Sequence, residues 1–310
     1  MPRLTRTERI VPRALGAGDC VGVIAPAGAV PREDLEAGIA LLEAKGLRVR
    51  LGASVWKRHG YLAGTDEDRA RDLVEMFVDP NVRAVFAARG GYGCTRLLPH
   101  LDAALLRNHA KIFVGSSDCS ALLTFLVDRC GMVAFHGPVV TGLARRSDAL
   151  DRLLEVLSGK ASSHVQAPHC LRPGRGEGTL RGGCLSVLGA LVGTPWAPAV
   201  HEPTIWFFED VNEKPYRIDR LLTQWMQAGL WAATRGIVWG EMVDCDAPGN
   251  GWDIWTVIQE RTAFLGVPMA AELPSGHGAG TITLPLGIHV RLADAQLEYL
   301  EPWVIPGVAP

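Results

Sequence analysis

The chain has 310 residues, with 31 basic and 33 acidic side chains and a formal net charge of -2. Its 48% apolar and 21% charged content is that of an ordinary globular protein, which excludes disorder, collagen and coiled coil as the main architecture. No long basic run is present, so neither nucleic acid nor an anionic membrane surface is an expected partner. The seven cysteines are odd in number and never form CxxC, which argues against a disulfide framework or a zinc ribbon and for a reducing compartment. The first twenty residues are charged throughout and lack the apolar stretch of a signal peptide, so a cytoplasmic protein is expected.

In chain order, Val21–Ala25 reads as a strand. Arg32–Lys45 has helical periodicity through Leu35, Ile39 and Leu42. Arg48–Leu51 reads as a strand, Asp66–Phe77 as a helix and Ala84–Ala88 as a strand. Leu97–Leu106 reads as partly helical, Lys111–Gly115 as a strand and Ser120–Cys130 as a helix. Strands separated by helices imply a mostly parallel sheet with helices on both faces. Ser158–Gly178 is polar, rich in Gly and Pro and without either period, which predicts a linker. Gly183–Val200 carries no formal charge and has the length of a membrane span. Its glycines and prolines leave only Cys184–Val192 continuously apolar, so a buried helix is expected. Beyond it, strands are expected at Thr204–Phe208 and Gly236–Trp239, helices at Pro215–Gln227 and Trp252–Leu265, and strand-like alternation at Thr281–Leu284 and Ile288–Leu300. The expected domains are 1–157, a linker over 158–178, and a mixed α/β domain with a β-rich end over 179–310.

Three separated segments hold reactive residue types. In Lys111–Cys119, a strand turns sharply into a helix at Gly115–Ser116–Ser117–Asp118. A serine there is lifted above the sheet edge, where N–H groups at the helix start can stabilise an oxyanion. The hydrolase elbow G-x-S-x-G is incomplete because position 119 is Cys, and Ser and Asp before a helix also serve as N-caps. Cys119 is itself an alternative nucleophile. In Phe207–Arg220, Glu209 and Asp210 end an apolar strand, where a carboxylate can orient a histidine or cap the next helix. In Ser275–Gly287, His277 lies between glycines on a loop, exposed to substrate or solvent. Arg89–Gly93 follows a strand but lacks the spacing of a phosphate loop, and its amides can serve an oxyanion or a carboxylate. His136, in FHGP, lines a pocket or is a hydrogen-bonded structural histidine. His201–Glu202 opens like the zinc motif HExxH but fails at Ile205.

Together, the segments ARGGYGCTRLLPHLD, VGSSDCSALL, FHGPV, RGGCLSVLGALVGTPW, FFEDVNEKPYRIDRLL and GHGAGTITLPLG resemble, in order, the L,D-carboxypeptidases of the serine peptidase class. That family also includes the microcin C immunity proteins. The resemblance implies an N-terminal flavodoxin- or glutamine-amidotransferase-like sheet and a C-terminal mixed domain with a barrel-like part. It implies a triad of Ser117, Glu209 and His277, with an oxyanion hole from the backbone N–H groups of Gly91 and Asp118, at the interface of the two domains. It further implies hydrolysis of muropeptide tetrapeptides at their terminal D-alanine, in cytoplasmic peptidoglycan recycling, by a homodimer with no metal or organic cofactor. The alternatives are hydrolysis of aminoacyl-nucleotide amides and, from another class, a catalytically silent peptide-binding protein. Ser116 departs from relatives that usually have an aromatic residue before the nucleophile. By location alone, Arg89 and Arg217 are candidate partners for the substrate's terminal carboxylate, or else structural ion-pair partners.

Overall fold

The computed structural model describes residues 9–145, 148–246, 251–280 and 282–306. Its first half is built from β1 (Cys20–Ile24), α1 (Arg32–Ala44), β2 (Arg48–Leu51), α2 (Asp66–Val78), β3 (Val82–Ala87), α3 (Ala103–Asn108), β4 (Ile112–Gly115), α4 (Ser120–Asp128), β5 (Ala134–His136), α5 (Val140–Leu143) and α6 (Ala149–Leu157). The five strands pair in parallel in the order β2-β1-β3-β4-β5. This is the flavodoxin-like arrangement, whose ligands gather beyond the carboxyl ends of the strands. Local signals start the helices. Thr65 and Asp68 form a reciprocal capping box at α2, and Asp102 accepts from the N–H groups of Ala104 and Leu105 at α3. The partly helical stretch before α3 is two 3-10 turns, Cys94–Arg96 and Leu98–His100. Pro99 lacks the N–H that a longer helix would need there.

The second half contains β6 (His164–Gln166), β7 (His169–Arg172), β8 (Arg175–Cys184), α7 (Leu185–Leu191), β9 (Thr204–Val211), α8 (Pro215–Gln227), β10 (Thr234–Val243), α9 (Ile254–Thr262), β11 (Met269–Ala271), β12 (Leu284–Leu286), β13 (His289–Ala293) and β14 (Gln296–Tyr299). Its sheet runs β6-β14-β13-β8-β9-β10-β11-β7, with a parallel centre and antiparallel flanks. The two edge strands, β6 and β7, are joined by only two residues, Ala167 and Pro168. A sheet of eight strands whose edges are that close along the chain must roll round on itself, which accounts for the barrel-like part. Among the described helices, none is long and apolar enough to cross a membrane, and α7 occupies only the apolar part of the uncharged segment.

Two expectations are corrected. Residues 158–178 do not form a structureless linker: β6, β7 and the start of β8 lie within them and pair into the second sheet. Short edge strands with exposed side chains have backbone pairing but no apolar period, so pattern reading misses them. The chain also does not stay in its second half. β12 pairs antiparallel with β5, with Leu284 opposite His136, and so completes the first sheet as a sixth strand. Of the strand expected at Thr281–Leu284, Thr281 lies outside the described residues.

Helix α4 lies between the two sheets. Ala121 through Phe125 and on to Val127 are buried on every side, so the helix has no polar face. Ser120 at its start accepts a hydrogen bond from the Cys184 N–H at 2.9 Å, at the end of β8. At its other end Asp128 pairs with Arg181 of β8 at 2.7 Å, and Arg181 reaches Glu202 at 2.6 Å. Breaking a buried pair of this kind costs about 3–5 kcal/mol, so the two halves are joined by charge as well as by apolar packing.

Candidate active site

Period-two alternation along β9 explains why its acidic pair divides. Trp206 and Phe208 pack on Trp225 of α8, at 4.8 and 4.9 Å between ring centroids. Phe207 faces the other way, edge-on to His136 at 5.0 Å. Glu209 follows Phe207's side and Asp210 follows Phe208's. Asp210 therefore meets α7, where it accepts from the Ser186 N–H at 2.7 Å and hydroxyl at 3.0 Å. Burial pushes its carboxyl up to about 6, against those hydrogen bonds. Glu209 meets the loop after β11, and its Oε2 lies 2.6 Å from Nδ1 of His277. Burial alone would raise the Glu209 carboxyl, but His136 and His277 beside it reverse the effect and hold it at about 2.

Ser117 opens a 3-10 turn directly after β4 and has a φ of +59°, a left-handed conformation that side chains other than glycine seldom adopt. The strained backbone presents the hydroxyl at the carboxyl edge of the sheet. Gly90 makes room for it: a Cβ at Gly90 would stand 2.8 Å from the Ser117 Cβ and 3.1 Å from its Oγ. Asp118 beside it is buried and accepts the Cys94 N–H at 2.8 Å, while burial raises its carboxyl.

A cleft of about 330 Å³ opens between the halves at the ends of β3, β4 and β5. Ser117, His277, Gly91 and Arg89 all line it, so the structure brings these four expected residues together. Glu209 sits behind His277, fully buried. Arg217 does not line the cleft: it is exposed on α8 beside Glu213 and Tyr216. Its position after the acidic pair placed it near the site in sequence, but α8 leads away from the strand end. Asp118 and Cys119 do not line the cleft either, and Cys119 is completely buried, which removes it as a nucleophile.

Two site residues escaped sequence reading. Glu241, on β10, accepts the Gly278 N–H at 2.9 Å and the Gly280 N–H at 3.1 Å, and so anchors the loop on both sides of Ala279. Glycines at 276, 278 and 280 allow this, because a Cβ at 276 would press on Glu209 and one at 278 or 280 would collide with Glu241 or Pro274. The acidic residue on β10 had no local signal, since its partners lie 37 and 39 residues on. Arg145 also lines the cleft, paired at its mouth with Asp34 at 2.7 Å.

A serine on a strained turn and a histidine backed by a buried carboxylate line one cleft between two sheets, residue types that α/β serine hydrolases use. Residues 21–137 match the LD-carboxypeptidase N-terminal domain and residues 177–292 the LD-carboxypeptidase C-terminal domain. The murein tetrapeptide carboxypeptidase of Pseudomonas aeruginosa is 36% identical over 293 residues, covering 90% of this chain and 94% of that one. The crystal structure of muramoyltetrapeptide carboxypeptidase from Oxalobacter formigenes superposes with a TM-score of 0.83 at 32% identity, over 93% of this chain and all of that one. The microcin C7 self-immunity protein MccF shares the fold, with a TM-score of 0.87 at 22% identity over 95% of this chain and 99% of that one. The chain belongs to the LD-carboxypeptidase family and is a serine peptidase.

Proposed function

We propose that the chain removes the terminal D-alanine from murein tetrapeptides through an acyl-enzyme formed on Ser117. The observation that carries this reading is the 2.6 Å contact between Glu209 and His277, with His277 and Ser117 lining one cleft. His277 takes the Ser117 proton as the hydroxyl attacks the peptide carbonyl. Glu209 fixes the imidazole with its proton on Nδ1, and its charge stabilises the imidazolium that forms. The N–H groups of Gly91 and Asp118 hold the oxyanion of the tetrahedral intermediate. His277 then protonates the departing amine of D-alanine, and water, activated by the same imidazole, frees the acyl group from Ser117.

An exopeptidase must also hold the free carboxylate of its substrate. Arg89 lines the cleft with one guanidinium nitrogen on the Ala29 carbonyl at 2.8 Å, leaving further donors for a carboxylate. The murein peptide as substrate is supported by the names of relatives that match at more than 30% identity over nearly the whole chain. A cytoplasmic site of action agrees with the free state of all seven cysteines. A homodimer rests on the family resemblance alone.

The test is incubation with L-Ala-γ-D-Glu-meso-diaminopimelyl-D-Ala, followed by mass spectrometry, with Ser117→Ala in parallel. Release of one alanine by the wild type only is expected. An intact tetrapeptide would overturn the reading, and cleavage of an aminoacyl-nucleotide amide instead would move the chain to the activity of the immunity proteins.

A further inference from the structure

A buried carboxylate has two oxygens, and each needs a partner. In Glu209, Oε2 is taken by His277, while Oε1 is buried with no hydrogen-bond partner among the described residues. The same is true of Nε2 of His136, and these two orphaned atoms face each other at 3.6 Å. His136 ends β5 and is 1% exposed, held edge-on against Phe207. Its other ring nitrogen, Nδ1, lies 3.4 Å from the hydroxyl of Ser275, two residues before His277.

These contacts select the tautomer. With the proton on Nδ1, the bare Nε2 lone pair would point at a carboxylate oxygen, which is repulsive. With the proton on Nε2, Ser275 donates to Nδ1 and the ring aims its N–H at Oε1, which replaces a repulsion by an attraction. The 3.6 Å separation is that of a charge–dipole contact across the two halves, longer than a full hydrogen bond.

We infer that His136 is a positioning residue: its Nε2–H holds the far oxygen of Glu209, so that the near oxygen stays on His277. This rests on the serine-hydrolase reading of the site. It adds a physical link between the halves. Ser117 follows β4 and His136 ends β5, neighbouring strands of the first sheet, whereas Glu209 and His277 belong to the second half. Through His136, the sheet that presents the nucleophile also sets the position of the base.

Nitrogen-15 correlation spectra of the wild-type protein read the tautomer directly. A proton on Nε2 of His136 is expected, and a ring without one there overturns the inference. The second measurement is the rate at which a fluorophosphonate labels Ser117, which needs no knowledge of the natural substrate. His136→Phe keeps a ring against Phe207 but no donor, and is expected to slow labelling about tenfold. His136→Gln places an amide N–H near the position of Nε2 and is expected to recover to within about threefold of wild type. Wild-type rates in His136→Phe, or equal losses in both variants, would overturn the inference. Absence of labelling in the wild type would instead tell against the Ser117 reading, and the tautomer alone would then decide the role of His136.

Discussion

The two walls of the cleft position their side chains in different ways. On the first sheet, Ser117 is set by main chain: a short parallel strand ends, the next residues turn at a φ of +59°, and the buried helix α4 fixes the turn from behind. On the other wall, His277 sits on a glycine-rich loop held by carboxylates, Glu209 on the His277 ring and Glu241 on the N–H groups of Gly278 and Gly280. A nucleophile needs only its hydroxyl presented and can be fixed by backbone strain. A histidine acting as base must hold a given tautomer and accept a charge in mid-reaction, and a buried carboxylate serves both needs.

Four substitutions test that contrast. Ser117→Ala removes the proposed nucleophile and should lower kcat about 10⁴-fold or more while leaving the thermal unfolding midpoint within a degree or two. A large loss of stability would mean that Ser117 is there for structure. Glu209→Gln is expected to cost about 10³–10⁴-fold in kcat, because an amide can neither enforce the tautomer nor stabilise the imidazolium. Its effect on stability has a defined sign. Glu209 is held at about 2, below its ordinary value of 4.5, so it contributes stability that is complete above about pH 4.5 and lost as the pH falls toward 2. Urea unfolding across that range should be less pH-dependent in Glu209→Gln than in wild type, and an identical slope would remove Glu209 as the ionised partner.

The loop anchor comes next. Glu241→Gln weakens the acceptor for two backbone N–H groups and should lower kcat about tenfold with KM nearly unchanged. A change in KM alone would place Glu241 in substrate binding rather than in holding the loop. The smallest effect is expected from Ser117→Gly. It also abolishes activity, but its measure here is stability: relief of the left-handed backbone should raise the unfolding free energy by about 0.5–1 kcal/mol, read from the urea midpoint. A destabilised variant would show that the turn is not strained.

The parts of this molecule that were legible in its sequence are those governed by neighbours along the chain. Alternating strands and helices from residue 20 to 130 follow from apolar periodicity, and α8 starts at Pro215 because proline is suited to the first turn of a helix. The candidate residues Ser117, Glu209 and His277 were each visible as an unusual residue at the end of a strand or among glycines, and six ordered motifs made them a family pattern. Arg217 shows where this reasoning breaks down. It lies eight residues after Glu209 in sequence, but the intervening turn and helix carry it out of the cleft.

Sequence by itself therefore determined the parallel first sheet, the apolar helix behind Ser117 and the candidate status of Ser117, Glu209 and His277. Tertiary structure alone decided that the supposed linker supplies strands, that β12 crosses back to lie beside His136, and that Glu241 and His136 belong to the site. The physical reason is the range of the interactions. Helix caps and strand periods act over two to four residues, whereas the β12–β5 pairing and the hydrogen bonds of the site join groups 37 to 152 residues apart and exist only once the two sheets have packed.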